Sequence, residues 1–392
     1  MFLISATLSL VQVFPQESGF QRISQDEAIA IALANNPGLK NKKLILKSME
    51  KDLTRLPAFE KTELNYRYGQ LYSPVKGSYI ELIQNFGNPF SYNAQKEYRS
   101  YKQNLTEKEG EVLMQQIIQG VRNSYNQWIF THHKLNLLEQ QKKWYDDFLR
   151  IVQLHFEQGA YDLLDKVKAE SQYALVRNNY LKAQDEVLLS ENELKMNLFI
   201  EGDLVPVTEE LILYEITRDT ISGINSEIES MDQYVALNQA SIRMQKMEAF
   251  PDITAGYFHQ KIGSAAGFQG VMVGISLPLW FTPIKKNIEK AQLHAEIAAN
   301  SYKKRVFESE KEREAIVIQL NHNFKQIQYY REHALRKAQL LVQTSEVRFK
   351  KEDIEYFEHL ENLNLWLQIQ LDYINLVKKY NEKAIELEYY VK

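Results

Sequence analysis

The sequence contains no cysteine among its 392 residues. This excludes disulfide bonds, thiolate metal sites, cysteine nucleophiles and acylation of an N-terminal cysteine. The formal net charge is only −4, so the sequence lacks the basic excess typical of nucleic-acid-binding proteins. It also lacks a Gly-rich phosphate loop and a GxSxG nucleophile motif. We therefore expect a protein that is not an enzyme, with no cofactor and no nucleic-acid partner.

Long apolar runs are missing as well. No stretch supplies the roughly 20 apolar residues of a transmembrane helix, so any insertion into a membrane must use strands. The N-terminus, "MFLISATLSLVQVFPQESG", has an apolar core followed by polar residues and resembles a signal peptide. We predict that residues 1–17 are this signal peptide.

Proline is absent between residues 90 and 205 and again after residue 283, and glycine is absent after Gly274. Because proline inside a helix costs about 3 kcal/mol, these gaps are where long helices can form. Inside them apolar residues recur at spacings of three, four and seven, as in the series Val121, Tyr125, Trp128 and Leu135. This narrow apolar seam is typical of coiled-coil helices.

The chain also repeats itself. "HFEQGAYDLLD" corresponds to "RFKKEDIEYFE" 193 residues later, and "NPFSYNAQKEY" corresponds to "TPIKKNIEKAQ" at nearly the same offset. We predict a first repeat over 18–200, a linker over 201–224 and a second repeat over 225–392. The predicted helices span about 25–56, 92–157, 160–198, 225–249, 284–351 and 353–391, and the predicted hairpins about 58–91 and 250–282. Each repeat would be an elongated rod in which two stacked short helices match one helix of roughly 100 Å.

Along the strands of the two predicted hairpins, apolar residues alternate with other residues, as in a sheet whose two faces differ. Val271, Val273 and Ile275 share one face of the last strand, and Gly270 and Met272 the other. Each strand run has about the ten residues of a transmembrane β-strand. The candidates for interfacial aromatic girdles are Tyr66, Tyr68, Tyr72, Tyr79, Tyr257 and Trp280.

Two interpretations of the hairpins remain open from the residues alone. They could pack on the protein's own helices, or they could enter a membrane. Bilayers admit no open sheet edge, and four strands cannot close a barrel. A membrane hairpin pair therefore requires an oligomer, in which a dimer would give eight strands and a trimer twelve.

Several segments together resemble one family. They are "ISQDEAIAIALANNPGL" (23–39), "AFPDITAGYF" with "GVMVGISLPLWF", and the two helical returns that begin "HFEQGAYDLLDKVKAESQYALVRNNYLKAQ" and "RFKKEDIEYFEHLENLNLWLQIQLDYINL". Over nearly the whole chain after the leader, the sequence resembles the TolC family of outer-membrane efflux ducts. The second return is most similar to the heavy-metal cation efflux branch.

The resemblance implies a mainly α fold with membrane β-structure. Each chain would supply a long coiled-coil α-helical barrel and four β-strands to a trimeric 12-stranded outer-membrane β-barrel, with two internal structural repeats. It implies a homotrimer in the outer membrane of a Gram-negative bacterium, in contact with outer-membrane lipid, with the helical part in the periplasm. The implied partners are a periplasmic adaptor (membrane fusion) protein and an inner-membrane pump of the resistance-nodulation-division (RND) type.

The resemblance also points to specific residues. The adaptor-contact tips would be Gly159, Ala160, Tyr161, Asp162, Lys351, Glu352, Asp353 and Ile354. Glu358 and Glu361 would form an acidic ring at the entrance, repeated by threefold symmetry, which would favour cations. One departure from the family is Glu352, which stands where the second return usually has glycine. The shape of that turn is therefore an open question.

No metal site of the protein's own is predicted. His132 and His133 are neighbours whose side chains point about 100° apart on a helix, unlike a chelating pair at i and i+4. The resulting hypothesis is a passive exit duct of a tripartite efflux system, most consistent with export of heavy-metal cations. The alternatives are a drug or type I secretion duct, a soluble periplasmic coiled-coil scaffold, and a periplasmic adaptor, which the duplicated hairpins disfavour.

Overall fold

The computed structural model describes residues 21–390, apart from 56, 58, 71–73, 208–210 and 217–224. The predicted signal peptide, Tyr72 and much of the predicted linker lie outside the described residues. In the described part of the chain the helices are α1 Gln25–Asn35, α2 Pro37–Thr54, α3 Ser91–Glu157, α4 Leu163–Leu198, α5 Ser226–Met247, α6 Phe281–Tyr329, α7 Leu335–Lys350 and α8 Tyr356–Tyr389. None of these helices is both long and apolar enough to span a membrane.

The helix predicted over 25–56 is two helices in the structure. The break falls at Asn36, whose side-chain oxygen accepts hydrogen bonds from the backbone N–H groups of Gly38 and Leu39 at 2.8 and 3.2 Å. Pro37 takes the first position of α2, where its missing N–H leaves no hydrogen bond unmade. Asn36 is therefore an N-cap and Pro37 a helix start.

The helix predicted over 284–351 also differs from the observed one. A five-residue π-helical turn, Tyr330–Ala334, separates α6 from α7. The Arg331 Nε donates to the Tyr373 hydroxyl on α8 at 2.9 Å beside this turn. A π-helical turn accommodates one extra residue, which an apolar period of 3.6 residues does not reveal.

The described strands form two sheets. In the smaller sheet, β1 Gln21–Ile23 pairs in parallel with β4 Leu204–Pro206. The larger sheet has the order β2 (Glu63–Gly69), β3 (Gly77–Gly87), β5 (Asp252–Ile262) and β6 (Ala265–Ser276), and all of its neighbours are antiparallel. The two hairpins thus join at β3 and β5 into one four-stranded sheet. The predicted mainly helical fold with four hairpin strands and two repeats is confirmed.

The chain divides into two compact units. The unit that we call the return-turn unit comprises the described parts of Met1–Asn35 and Ile117–Tyr214, together with Leu320–Ile385. The hairpin unit comprises the described parts of Asn36–Gln116, Glu215–Gln319 and Glu386–Lys392. In the hairpin unit, ion pairs link its helices: Lys108 on α3 lies 2.7 Å from Glu229 on α5, and Arg305 on α6 lies 2.7 Å from Glu227.

A polar junction lies in the return-turn unit. Asn381, buried on α8, donates to Asn126 Oδ1 on α3 at 3.0 Å and to the Ile212 carbonyl at 2.8 Å. Its own Oδ1 accepts from the Tyr214 backbone N–H at 3.1 Å. One buried side chain therefore ties residues 212–214 to two helices, and β4 adds further order to the segment predicted as a linker.

Candidate functional site

The first return turn closes with backbone hydrogen bonds after α3. The Gly159 N–H donates to the Phe156 carbonyl at 3.0 Å, and the Ala160 N–H to the His155 carbonyl at 2.9 Å. Gly159 has a φ of +75°, the left-handed conformation that ends many helices. Asp162 then caps α4 through a reciprocal capping box with Asp165.

The second return turn has the same backbone geometry 193 residues later. The Glu352 N–H donates to the Phe349 carbonyl and the Asp353 N–H to the Arg348 carbonyl, both at 2.9 Å. Glu352 has a φ of +61°, although it carries a side chain. The departure from glycine at Glu352 therefore leaves the shape of the turn unchanged and places strain at this residue instead.

The two turns differ in which residues reach the surface. Among the predicted contact residues, Tyr161 is half-buried and Ile354 is buried, at 8 % exposure. The remaining predicted contact residues are exposed: Gly159, Ala160, Asp162, Lys351, Glu352 and Asp353. Ile354 is thus a core residue of its turn within this chain. Leu163 and Leu164, which directly follow Asp162, are 65 % and 64 % exposed and were missed, although two apolar residues directly after an N-cap are a visible signal.

The predicted acidic pair lies on the first two turns of α8. Glu358 and Glu361 are both exposed and, at a spacing of three, share one face of the helix. His359 between them points the other way and is buried. The two carboxylates are therefore accessible for a common neighbour or solute, while the residue between them belongs to the core.

Aromatic rings hold the base of the second turn. The His359 imidazole stacks on Phe349 with ring centroids 5.1 Å apart and an interplanar angle of 2°, and its Nδ1 lies 2.8 Å from the Ser345 hydroxyl. Tyr356 stacks on Phe148 at 5.4 Å and donates to the Trp144 carbonyl at 3.2 Å. Burial raises the pKa of Tyr356 to about 12. Burial also lowers the pKa of His359, against the opposing effect of the Glu346 carboxylate.

The four-stranded sheet in the hairpin unit has one apolar and one polar face. Its pairing places Leu64, Leu82, Tyr257 and Val271 in a single row across all four strands. All four side chains are exposed, Val271 at 81 %. The alternation read from the sequence of each strand therefore adds up, in the observed register, to a continuous apolar surface.

One aromatic residue does not lie where we predicted it. Tyr79 pairs with Arg67 and Gln260 and so lies on the polar face, opposite Tyr66, Tyr68 and Tyr257. The girdle interpretation is wrong for Tyr79, because the side of the sheet that β3 presents depends on its register with β2. Trp280, which follows β6, is 83 % exposed.

In the part of the chain that the structure describes, no group of three or more His, Asp or Glu side chains is arranged to hold a metal ion. Any effect of Glu358 and Glu361 on cations would therefore act through charge and accessibility.

Comparison with known proteins agrees with this geometry. Residues 86–198 match the family model described as outer membrane efflux protein. No curated protein matches the chain.

Solved structures match over nearly the whole chain. The fold is similar to that of CusC, with a TM-score of 0.76 and 16% identity over 97% of this chain and 96% of that one. It is also similar to the outer membrane protein VceC of Vibrio cholerae, with a TM-score of 0.75 and 14% identity over 93% and 94% of the two chains. The MtrE outer membrane channel of Neisseria gonorrhoeae, in its open state, gives a TM-score of 0.75 and 14% identity over 93% and 88%.

The match to the family model covers the end of β3, all of α3 and all of α4. The solved structures extend the likeness in fold to both repeats. Residues 86–198 are therefore similar to the outer membrane efflux protein family, and the chain as a whole shares the fold of solved outer-membrane channel proteins.

Proposed function

We propose that three copies of the chain assemble into the exit duct of a tripartite efflux system. The observation that carries this proposal is the sheet β2-β3-β5-β6, with its continuous apolar face and its two outer strands, β2 and β6. An unpaired strand edge is not tolerated in the hydrocarbon of a bilayer. Four strands from each of three copies would give twelve, enough to close a barrel without edges.

The return turns are the proposed contacts with a periplasmic adaptor, which would link the duct to an inner-membrane pump of the RND type. The exposed tip residues of both turns support this, together with Leu163 and Leu164 beside the first turn. Exposed leucines next to rigid backbone turns can be buried by a partner at little cost in chain entropy. Ile354 would act indirectly, by holding the second turn in shape.

Heavy-metal cations are the proposed cargo. The resemblance of the second return to the metal branch supports this, as does the exposed pair Glu358 and Glu361. Threefold symmetry would turn the pair into two rings of three carboxylates, which attract cations without binding them tightly. Weak attraction suits a duct, because a passing ion has to leave again.

The cargo proposal is tested in a strain that lacks the gene. We expect reduced tolerance to at least one of copper, silver, zinc, cobalt and cadmium, restored by the wild-type gene. The double variant Glu358→Gln with Glu361→Gln should restore tolerance only in part. Glu314→Gln, an exposed carboxylate on α6 paired with Lys311, is the matched control and should restore it fully. Unchanged tolerance of the deletion strain to all five metals would contradict a metal cargo and favour drugs or secreted proteins.

A further inference from the structure

The polar face of the four-stranded sheet carries an unexpected group of aromatic rings. Tyr79, Phe258 and Phe268 lie on this face, close to the ends of the strands that the two hairpin turns connect. The positions that pair with these rings are Arg67, Glu81, Gln260 and Gly270, three of which are polar. Large rings on the polar side of a membrane sheet are not explained by contact with lipid.

The rings form an ordered cluster. Tyr79 and Phe258 stack with centroids 5.7 Å apart and planes inclined by 18°. The Arg67 guanidinium lies over the Tyr79 ring, 5.7 Å from its centroid, and 3.6 Å from the Glu81 carboxylate. The Tyr79 hydroxyl donates to Glu81 at 3.3 Å. Stacking, cation–π contact and an ion pair thus fix one arrangement across three strands.

Gly270 determines where the Phe258 ring lies. A Cβ atom at position 270 would stand 2.7 Å from two carbons of the ring, so the ring lies directly over the β6 backbone. Two residues earlier on β6, Phe268 is 51 % exposed and faces the same side, opposite Gln260. Phe258 is therefore held in place, and Phe268 projects from the sheet.

We propose that Arg67, Tyr79, Phe258 and Phe268 form an aromatic collar that narrows the duct at its exit. This inference rests on the proposed trimer, in which the polar face lines the lumen. Side chains fill eight-stranded barrels, whereas barrels of 16–18 strands leave an aqueous channel. In a twelve-stranded barrel, the size of the side chains that point into the lumen determines the free width of the channel. Three copies would place nine rings around it, and apolar constrictions of this kind limit the passage of water and ions.

The collar also fixes a charge at the exit. Among the strand residues that the structure describes, the polar face carries the carboxylates Glu63, Glu81 and Asp252 and the cation Arg67. The stack on Tyr79 and the pair with Glu81 hold the Arg67 guanidinium at the level of the rings. Because these carboxylates outnumber Arg67 and Glu81 pairs with it, the guanidinium offsets part of a negative charge at the level of the rings.

Conductance of the purified full-length protein in planar bilayers tests the collar. The double variant Phe258→Ala with Phe268→Ala should raise the single-channel conductance about twofold, because six rings leave the lumen. Arg67→Gln should increase the permeability of K⁺ relative to Cl⁻. Tyr257→Ala is the matched control, since its ring lies next to Phe258 in sequence but on the apolar face, and it should leave the conductance unchanged.

The conductance measurements distinguish a failure of the collar proposal from a failure of the duct proposal. Wild-type protein that forms no channels in the bilayer would overturn the proposed duct and the collar with it. Wild-type channels whose conductance and ion selectivity are the same in the ring and Arg67 variants would overturn the collar alone. Should the double variant fail to assemble, Phe268→Ala decides in its place, because this ring is half-exposed and its loss leaves no large cavity.

Discussion

Glu352 takes in the second return turn the backbone conformation that Gly159 takes in the first, with φ values of +61° and +75°. A residue with a Cβ pays about 1 kcal/mol for this conformation, and glycine does not. We predict that Glu352→Gly stabilises the protein by about 1 kcal/mol, seen as a higher midpoint of thermal unfolding by circular dichroism. Gly159→Ala should lower the midpoint by a comparable amount. A lower midpoint for Glu352→Gly would show that its side chain makes a stabilising contact.

Asn381 offers a second test, of the polar junction in the return-turn unit. Asn381→Ala would leave Asn126 Oδ1, the Ile212 carbonyl and the Tyr214 N–H without their partner. Because a buried polar group without a partner costs about 1–3 kcal/mol, we expect a loss of about 3 kcal/mol. Faster proteolytic cleavage between residues 201 and 224 should accompany it. Asn375→Ala, an exposed asparagine on the same helix, should change neither measurement.

His359 makes the second return turn sensitive to acid. Burial lowers its pKa in the folded protein below the ordinary value of 6.5. The unfolded chain therefore takes up a proton first as the pH falls below about 6.5, and stability is lost until the folded-state pKa is reached. The free energy of unfolding should decrease between pH 7.5 and pH 5.

The variant His359→Gln isolates this effect. It should remove part of the pH dependence in that range while lowering stability at pH 7.5, because the stack on Phe349 is lost. An unaltered pH dependence in this variant would mean that other groups cause the acid sensitivity.

Because the two faces of the sheet differ, arginine substitutions at neighbouring positions on β6 should have unequal effects. Val273 lies on the apolar face and Met272 on the polar face. An arginine facing lipid near the bilayer midplane costs about 2–4 kcal/mol, and one facing a lumen far less. Val273→Arg should therefore reduce the amount of protein assembled in the outer-membrane fraction strongly, and Met272→Arg only slightly. Equal effects of the two variants would contradict the orientation of the sheet.

The sequence predicts structure well where a physical rule acts on single positions. Proline and glycine placement predicted the long helices, and period-two alternation predicted both hairpins. Pro37 was visible too, but its role as a helix start depends on the Asn36 cap, which a continuous apolar pattern hides. The two return turns lie 193 residues apart along the chain, and equivalent backbone hydrogen bonds close both of them.

The structural features that could not be predicted from the sequence depend on contacts between distant segments. The side on which Tyr79 lies follows from the register of β3 with β2 and β5. The burial of Ile354 and the junction around Asn381 follow from tertiary packing. The π-helical turn at Tyr330–Ala334 has no signature in an apolar period.

The most direct test of the account is electron microscopy of detergent-extracted particles from the outer-membrane fraction. We expect threefold-symmetric tubes with a helical portion roughly 100 Å long, as the rise per residue of α3 requires. Monomeric, soluble particles found only in the periplasm would contradict it, and a coiled-coil scaffold would then be the better explanation.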